Sequence, residues 1–276
     1  MRRPLLASLA GLAIGLISST ARSADSVAVT GTSPPSTSED KLILTAQGST
    51  LTGASGGGGG EIAWAHTFGP GTTASVAGDY QSIAGSHWAF GSLTGSVGWG
   101  STGTRWTAYG EGHVGSGNTG THPFDYGVYV AGVTGTFSGR YTVQLETRQI
   151  DIDQSHGNLP KIGLAMLVTR RLLASVSYAQ SVSGNLDTDL LTARVDHYGT
   201  TLNWLAGIAE GHAAPAVVNI NTGATGPAPR LKEGFAGIVR TWPRTELSLL
   251  ADYLDLEGTK RITLTLSCTL HLGGAK

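Results

Sequence analysis

From residue 41 to residue 272 the chain is built of short segments in which every second residue is apolar. The last segment shows this pattern most clearly. One alternate set is apolar, namely Ile262, Leu264, Leu266, Cys268, Leu270 and Leu272. The other set is polar, namely Thr263, Thr265, Ser267, Thr269 and His271. Successive side chains of a β-strand point to opposite faces, so each segment has one apolar face and one polar face. The repeated pattern predicts an all-β fold, a closed antiparallel transmembrane β-barrel.

The first residues have the layout of a secretion signal. Arg2 and Arg3 precede an apolar stretch from Leu5 to Ile17, and small residues surround Ala21 and Ala24. An uncleaved anchor is the alternative, but the stretch is shorter than the ~20 residues of a spanning helix. We therefore predict a cleaved signal peptide at 1–24, a flexible periplasmic tail at 25–40 and an outer-membrane barrel at 41–276. This assigns the protein to the outer membrane of a Gram-negative cell.

We count fourteen candidate strands, and the lengths of their connections give an independent test. Barrels of this kind have short periplasmic turns and longer external loops. The predicted periplasmic connections are all short: 69–71, 100–103, 138–139, 170–171, 197–200 and 242–243. The predicted external loops are longer: 56–60, 114–125, 151–160, 180–187 and 211–230. The brief stretch 82–85 is the exception, and twelve strands result if it is not a turn.

The charge balance argues against nucleic-acid binding, and the cysteine content excludes an internal disulfide. The chain has 18 Lys and Arg against 19 Asp and Glu, and removal of Arg2, Arg3 and Arg22 with the signal leaves about −4. Nucleic-acid binding would need a basic surface, so we expect no nucleic-acid partner. The lone cysteine, Cys268, cannot form an internal disulfide. Pairing of all backbone groups in a closed barrel would stabilise the exported protein instead.

The histidines were tested for catalytic and metal-binding patterns. The sequence has no HExxH motif, no paired-cysteine zinc set and no Walker-type glycine loop, so we predict no metal and no cofactor. Ser155–His156 lies in a predicted external loop, and Asp196–His197 lies near a periplasmic turn. Adjacency in sequence does not bring two side chains into hydrogen-bond contact. We therefore predict no catalytic residues and a protein that is not an enzyme.

Several polar residues fall on the predicted inward faces of the strands. They are the candidate lumen-lining residues Tyr109, Glu111, His113, Gln144, Glu146, Arg148, Arg194, Asp196 and Asp252. Arginine and carboxylate rings can set the selectivity of a water-filled pore. The same groups can pair across the lumen and plug it, because a narrow barrel must satisfy its buried charges. Both interpretations stay open at this point.

Three stretches resemble the YaiO-type family of outer-membrane barrels. They are residues 64–72 (WAHTFGPGT), 145–148 (LETR) and 194–198 (RVDHY). The resemblance covers residues 41–272 and implies a barrel associated with cell-surface polysaccharide systems. Many such barrels end on an aromatic residue that the assembly machinery reads, whereas this chain ends in Gly-Gly-Ala-Lys.

The first functional hypothesis is a porin-like or polysaccharide-export-associated barrel without covalent catalysis. Its expected partners are outer-membrane lipid, the outer-membrane assembly machinery, and polysaccharide or small solutes. One alternative is an outer-membrane hydrolase or acyltransferase with a histidine at the barrel rim, and another is a plugged structural barrel or adhesin. A soluble exported β-sandwich is disfavoured, because the outward apolar faces would expose a large apolar band to water.

Overall fold

The computed structural model describes residues 38–273 except 53, 70, 84, 102, 119–122, 153–154, 213–229 and 258. The predicted signal peptide and most of the predicted tail therefore lie outside the described residues. Within these ranges the chain forms fifteen strands. They are β1 Glu39–Leu51, β2 Ala54–Gly69, β3 Thr72–Ile83, β4 Ser86–Ser101, β5 Thr104–Asn118, β6 Pro123–Phe137, β7 Tyr141–Ile152, β8 Ser155–Thr169, β9 Leu172–Gln180, β10 Ser183–Gly184, β11 Asp189–His197, β12 Leu202–His212, β13 Arg230–Trp242, β14 Thr245–Leu256 and β15 Thr259–His271. The described part of the chain contains no helix of the length and hydropathy needed to cross a membrane.

The sheet closes on itself. Each long strand pairs antiparallel with its neighbours in sequence, and β1 pairs with β15 from Lys41↔His271 to Leu51↔Arg261. The two-residue strand β10 lies in the connection between β9 and β11 and pairs with the end of β8. Fourteen strands therefore form the wall, as the sequence predicted. Closure satisfies the backbone hydrogen bonds of every strand and leaves no edge.

The turns fall into two groups at opposite ends of the barrel. We call the end that holds Glu39 and His271 the terminal end, and the other the far end. At the terminal end two to four residues separate the strands, which confirms the predicted short turns. In one of these turns Ser138 and Gly139 have φ values of 51° and 60°, the left-handed conformation that a tight reversal of the chain requires.

Three of the predicted loops at the far end are wrong. The glycine run 56–60 belongs to β2, β5 and β6 continue into 114–125, and β7 and β8 continue into 151–160. Gly57 to Gly60 pair in register with Ser49 to Ala46 of β1. Glycine disrupts the alternating pattern but keeps both backbone hydrogen-bonding groups, so β2 extends through this run without an apolar face.

The remaining connections decide the strand number. β3 ends at Ile83 and pairs antiparallel with β4, which begins at Ser86, so the chain reverses there and the twelve-strand alternative is wrong. The predicted loop 180–187 is confirmed in outline, since only the short β10 interrupts residues 181–188. Most of the predicted loop 211–230 lies outside the described residues.

The two faces of the wall differ as the alternation predicted. The outward face carries exposed apolar side chains such as Leu145, Ile162, Leu249 and Leu264. Exposed aromatic side chains lie toward both ends of the wall: Trp64, Phe68, Trp99, Tyr141, Trp204 and Trp242 toward the terminal end, and Tyr80, Tyr178 and Tyr253 toward the far end. Such bands of aromatic residues are typical of the levels where a bilayer meets water.

Candidate channel lumen

The far-end half of the lumen holds packed apolar side chains beside buried charged ones such as Glu233 and Arg261. One connected cluster joins β1, β4, β6 and β7, and its side chains are Leu51, Trp88, Phe124, Tyr126, Val128, Val130 and Ile152. On the opposite wall Leu231 and Leu254 are 1% and 0% exposed. Because inward side chains of non-adjacent strands meet, the lumen is narrowed at this level by packed apolar groups.

Two glycines of β5 make room for the three aromatic residues of this cluster and for Phe90, which packs against it. Gly115 lies in register between Phe90 of β4 and Tyr126 of β6, and the two rings stack over it with centroids 5.4 Å apart. Gly117 lies in the same way between Trp88 and Phe124. A Cβ atom on Gly115 would lie 2.5 Å from the Cβ of Phe90. We call Trp88, Phe90, Phe124 and Tyr126 the aromatic quartet.

Below the quartet the lumen carries a hydrogen-bonded charged network centred on Glu146 of β7. Arg148 Nε donates to Glu146 Oε1 at 2.5 Å, and Tyr109 Oη donates to Glu146 Oε2 at 2.6 Å. Gln144 Nε2 donates to Tyr109 Oη at 2.7 Å. The ring of Tyr109 reaches β7 by crossing the inward face of Gly132, where a Cβ would lie 2.3 Å from Tyr109 Cζ. The structure therefore brings together four of the predicted lumen residues.

The other predicted lumen residues form separate pairs. Glu111 and His113 contact each other side by side on β5, and both are buried. On β11 Arg194 Nη2 donates to Asp196 Oδ1 at 2.6 Å. Asp252 lies far around the wall on β14, where its carboxylate is 3.6 Å from Arg261 Nη2.

Tyr198, in the turn after β11, lies close to the Arg194–Asp196 pair. Burial raises the pKa of the Tyr198 phenol, and the nearby Asp196 carboxylate raises it further. Ionising Tyr198 would place a second negative charge beside that carboxylate. The phenol is therefore neutral at physiological pH.

The terminal half of the lumen is lined by small hydroxyl side chains. Thr45 and Ser267, Thr73 and Ser96, and Thr136 and Thr142 form cross-strand hydroxyl pairs at 3.0, 2.9 and 3.2 Å. At the mouth, His271 bridges Glu39 at 2.5 Å and Glu246 at 2.9 Å. This bridge links β14 to β1 on either side of β15, next to the strand pair that closes the barrel.

The structure adds lumen residues that the sequence analysis missed. Among the charged ones are Glu61, Asp79, Lys161, Glu233 and Arg261, each on the inward phase by register. Lys161 stands directly opposite Glu146. The alternation of polar and apolar residues along their strands could have identified them as inward-facing. The sequence analysis missed the aromatic quartet because Phe124 and the β5 glycines Gly115 and Gly117 lie within residues 114–125, which were predicted to be a loop.

In both pairs considered from sequence, Ser155–His156 and Asp196–His197, the histidine lies on the outward phase of its strand. His156 is exposed on the outward phase of β8, and its amide is hydrogen-bonded by Asn185. Asp196 and His197 point to opposite faces of β11, as neighbours in a strand must. The His197 ring stacks on Trp204 with centroids 5.4 Å apart.

A different histidine makes the hydrogen bonds of a serine–histidine–aspartate relay. Ser38 Oγ is 3.0 Å from His66 Nε2, and His66 Nδ1 is 2.8 Å from Asp40 Oδ1. The three residues lie at the terminal end on the outward face, and Phe68 contacts the edge of the His66 ring. No sequence motif marks this relay, because register brings its members together from positions 38, 40 and 66.

One cavity of about 1010 Å³ lies along β1–β5. Most of its lining residues are on the outward phase: Leu44, Gly60, Ile62, Gly78, Tyr80, Ala89, Gly91, Val114 and Ser116. The other five lining residues, Thr45, Glu61, Asp79, Phe90 and Gly115, are on the inward phase, so the cavity includes residues of both faces of the wall.

Comparison with known proteins gives structural similarity only. No protein-family model matches the sequence, and no curated protein matches it. The chain is similar in structure to the CymD monoaromatic hydrocarbon channel at 10% identity, covering 86% of this chain and 89% of that chain with a TM-score of 0.57. It is also similar to a Pseudomonas aeruginosa FadL homologue at 9% identity, with 85% and 90% coverage and a TM-score of 0.54.

A third similar structure is a deltaS2 mutant of the TodX monoaromatic hydrocarbon channel, at 7% identity with 86% and 90% coverage and a TM-score of 0.52. At such identities the likeness establishes the fold alone. The resemblance to the YaiO-type family stays a prediction. The chain has a closed antiparallel β-barrel fold similar to that of these channels.

Proposed function

We propose that this protein is an outer-membrane channel that passes small solutes and performs no covalent chemistry in its lumen. The observation that carries the proposal is a lumen lined by a hydrogen-bonded charged network and by hydroxyl groups, with packed apolar side chains that narrow its far-end half. Burying charges costs free energy even when they are paired. A barrel that served only as a lipid anchor would therefore gain nothing from the charged network at its centre.

The proposal includes the place and orientation of the barrel. An exported chain with residues 1–24 removed would enter the outer membrane with its terminal end in the periplasm. The short turns at that end agree with this orientation, as does the longer connection 181–188 at the far end. The outer-membrane assembly machinery would insert it, and membrane lipid would contact the outward apolar face.

The solute is a small molecule in this proposal, since packed side chains narrow the far-end half. Association with cell-surface polysaccharide belongs to the same proposal, on the strength of the YaiO-type resemblance. The hydroxyl-lined terminal half offers hydrogen-bond partners to sugars. Adding oligosaccharides to a conducting channel tests this directly, because a bound sugar interrupts the current.

The experiment for the channel is conductance in planar bilayers. The full-length product is extracted from outer membranes in detergent, and heat-modifiable mobility on gels shows that the barrel has formed. We expect stable current steps from such samples. A heat-modifiable barrel without current at any voltage would overturn the channel proposal.

A second candidate function is a lipid-ester hydrolase on the outer wall, and the Ser38–His66–Asp40 relay favours it. His66 Nε2 would accept the proton of Ser38 Oγ while that oxygen attacks the ester carbonyl. The same proton would pass to the leaving alcohol, and water would then release the acid from the acyl-serine. Trp64 and Phe68, 44% and 62% exposed, place the relay where lipid ester groups lie.

Fatty-acid release from phospholipid in mixed micelles tests this second function. We expect Ser38→Ala and His66→Gln each to abolish release if the relay is catalytic. Ser101→Ala, at an exposed serine of the same end of the barrel, is the matched control. Absence of release by the unaltered protein, or equal release by Ser38→Ala, would leave the relay as a surface hydrogen-bond chain.

A further inference from the structure

We propose that the wall formed by β2–β6 is a binding site for organic cations with an aromatic or other apolar body. This inference names the solute class of the channel and so rests on the proposed function. Its basis is the position of the aromatic quartet directly beside three inward carboxylates.

Register places these groups side by side. Asp79 of β3 stands directly opposite Phe90 of β4, and Glu61 of β2 stands opposite Asp79. On the other side of Phe90 the ring of His113 makes an edge contact at 5.7 Å, and His113 is paired with Glu111. The carboxylates and the stacked Phe90–Tyr126 pair therefore belong to one continuous patch of wall.

The distribution of charge around the lumen favours cations on this wall. The described inward positions of β2, β3, β4 and β6 carry no Lys or Arg, and the inward cation of β5, Arg105, lies at the terminal end of its strand. The central basic residues are Arg148, Lys161 and Arg194, on β7, β8 and β11. Both arginines are matched by a carboxylate on their own strand, Glu146 and Asp196.

The inward face as a whole also carries a net negative charge. Its acidic residues in the described strands are Glu39, Glu61, Asp79, Glu111, Glu146, Asp196, Glu233, Glu246 and Asp252. Its basic residues are Lys41, Arg105, Arg148, Lys161, Arg194 and Arg261. Nine carboxylates against six cations give a net negative lumen. Low-dielectric walls focus such a field and concentrate solutes of opposite sign.

The chemistry of the wall matches an organic cation more closely than an inorganic one. Aromatic faces attract a positive charge through their quadrupole and also pack against an apolar body. Phe90 is only half-buried, so part of its ring borders the lumen. His113 is 5% exposed, and its Nδ1 has no hydrogen-bond partner among the described residues, which is uncommon for a buried polar atom.

Direct binding tests the site without relying on conductance. The full-length barrel in nonionic detergent is titrated calorimetrically with benzyltrimethylammonium, tetramethylammonium and benzenesulfonate. We expect saturable binding of benzyltrimethylammonium, weaker binding of tetramethylammonium and none of benzenesulfonate. Equal binding of the aromatic cation and the aromatic anion, or no saturable binding of either, would overturn the inference.

Variants locate the site. Asp79→Asn and Phe90→Leu should each weaken benzyltrimethylammonium binding by about fivefold to thirtyfold, the range of a desolvated cation–aromatic contact. Asp151→Asn removes the same charge from the outward face and is the matched control. Heat-modifiable mobility verifies each barrel, and Glu61→Gln replaces any variant that does not fold. Unchanged affinity in the variants that fold would overturn the inference.

The two proposals fail separately. A barrel that binds the aromatic cation but conducts no current would overturn the channel and keep the site. A barrel that conducts but shows no preference for the aromatic cation would overturn the site and keep the channel.

Discussion

Leu186 packs over Gly157 on the lumen side of β8. A Cβ atom on Gly157 would lie 2.7 Å from Leu186 Cδ1 and 2.5 Å from the carbonyl oxygen of Ser183. Leu186 is 5% exposed although it lies in the connection between β9 and β11. The absence of a side chain at position 157 therefore lets the connection 181–188 lean into the far-end mouth.

Gly157→Ala should displace this connection and widen the mouth. Over-packing at such a contact typically costs about 1–3 kcal/mol of folding free energy, and the exposed connection can relieve it by moving outward. We expect larger single-channel conductance and faster proteolysis within 181–188. Gly48→Ala is the matched control, because nothing lies within 4 Å of a Cβ at that position. Identical behaviour of the two variants would contradict the packing argument.

Arg148→Gln should destabilise the barrel strongly. The side chain of Glu146 is 0% exposed and receives the Arg148 Nε hydrogen at 2.5 Å. Removing one partner of a buried pair leaves an uncompensated charge and costs about 3–5 kcal/mol. Urea unfolding followed by heat-modifiable mobility measures the loss, and adding Glu146→Gln should recover much of it.

The control for that variant is Arg230→Gln. The Arg230–Glu210 pair is exposed, with both side chains more than half accessible. Exposed ion pairs contribute little, because water and salt screen them. Equal losses in Arg148→Gln and Arg230→Gln would show that burial does not decide the strength of the pair.

Arg194→Gln should shift the channel toward cations. Arg194 is an inward cation that donates two hydrogen bonds to Asp196 Oδ1. Its removal increases the negative charge of the lumen. The reversal potential in a potassium chloride gradient measures the shift. Arg240→Gln removes an outward arginine that lies over the Trp242 ring, and it should leave the reversal potential unchanged.

Cysteine labelling on intact cells should report the orientation of the barrel. Because Cys268 is the lone cysteine, Cys268→Ser gives a background without thiols. Asp187→Cys, at the far end, should react with a membrane-impermeant maleimide. Arg171→Cys, in a terminal-end turn, should react only after the outer membrane is permeabilised. The reverse result would invert the proposed orientation.

At several places in the lumen a large side chain lies across a glycine of the neighbouring strand. Tyr109 crosses Gly132 to reach Glu146, and Phe235 lies over Gly207, where a Cβ would be 2.3 Å from its Cζ. The sequence shows these glycines only as interruptions of an alternating pattern. Their role depends on which residue of the neighbouring strand stands opposite, and that is a property of register.

Alternation along the chain was enough to predict a closed barrel, fourteen strands, short terminal-end turns and the inward phase of residues such as Glu146, Arg148 and Asp252. It had this power because strand geometry alone assigns each side chain to one of two faces. The tertiary structure decided the length of the far-end strands, the partners within the lumen and the Ser38–His66–Asp40 relay. These depend on contacts between distant segments, and single-strand periodicity carries no information about register.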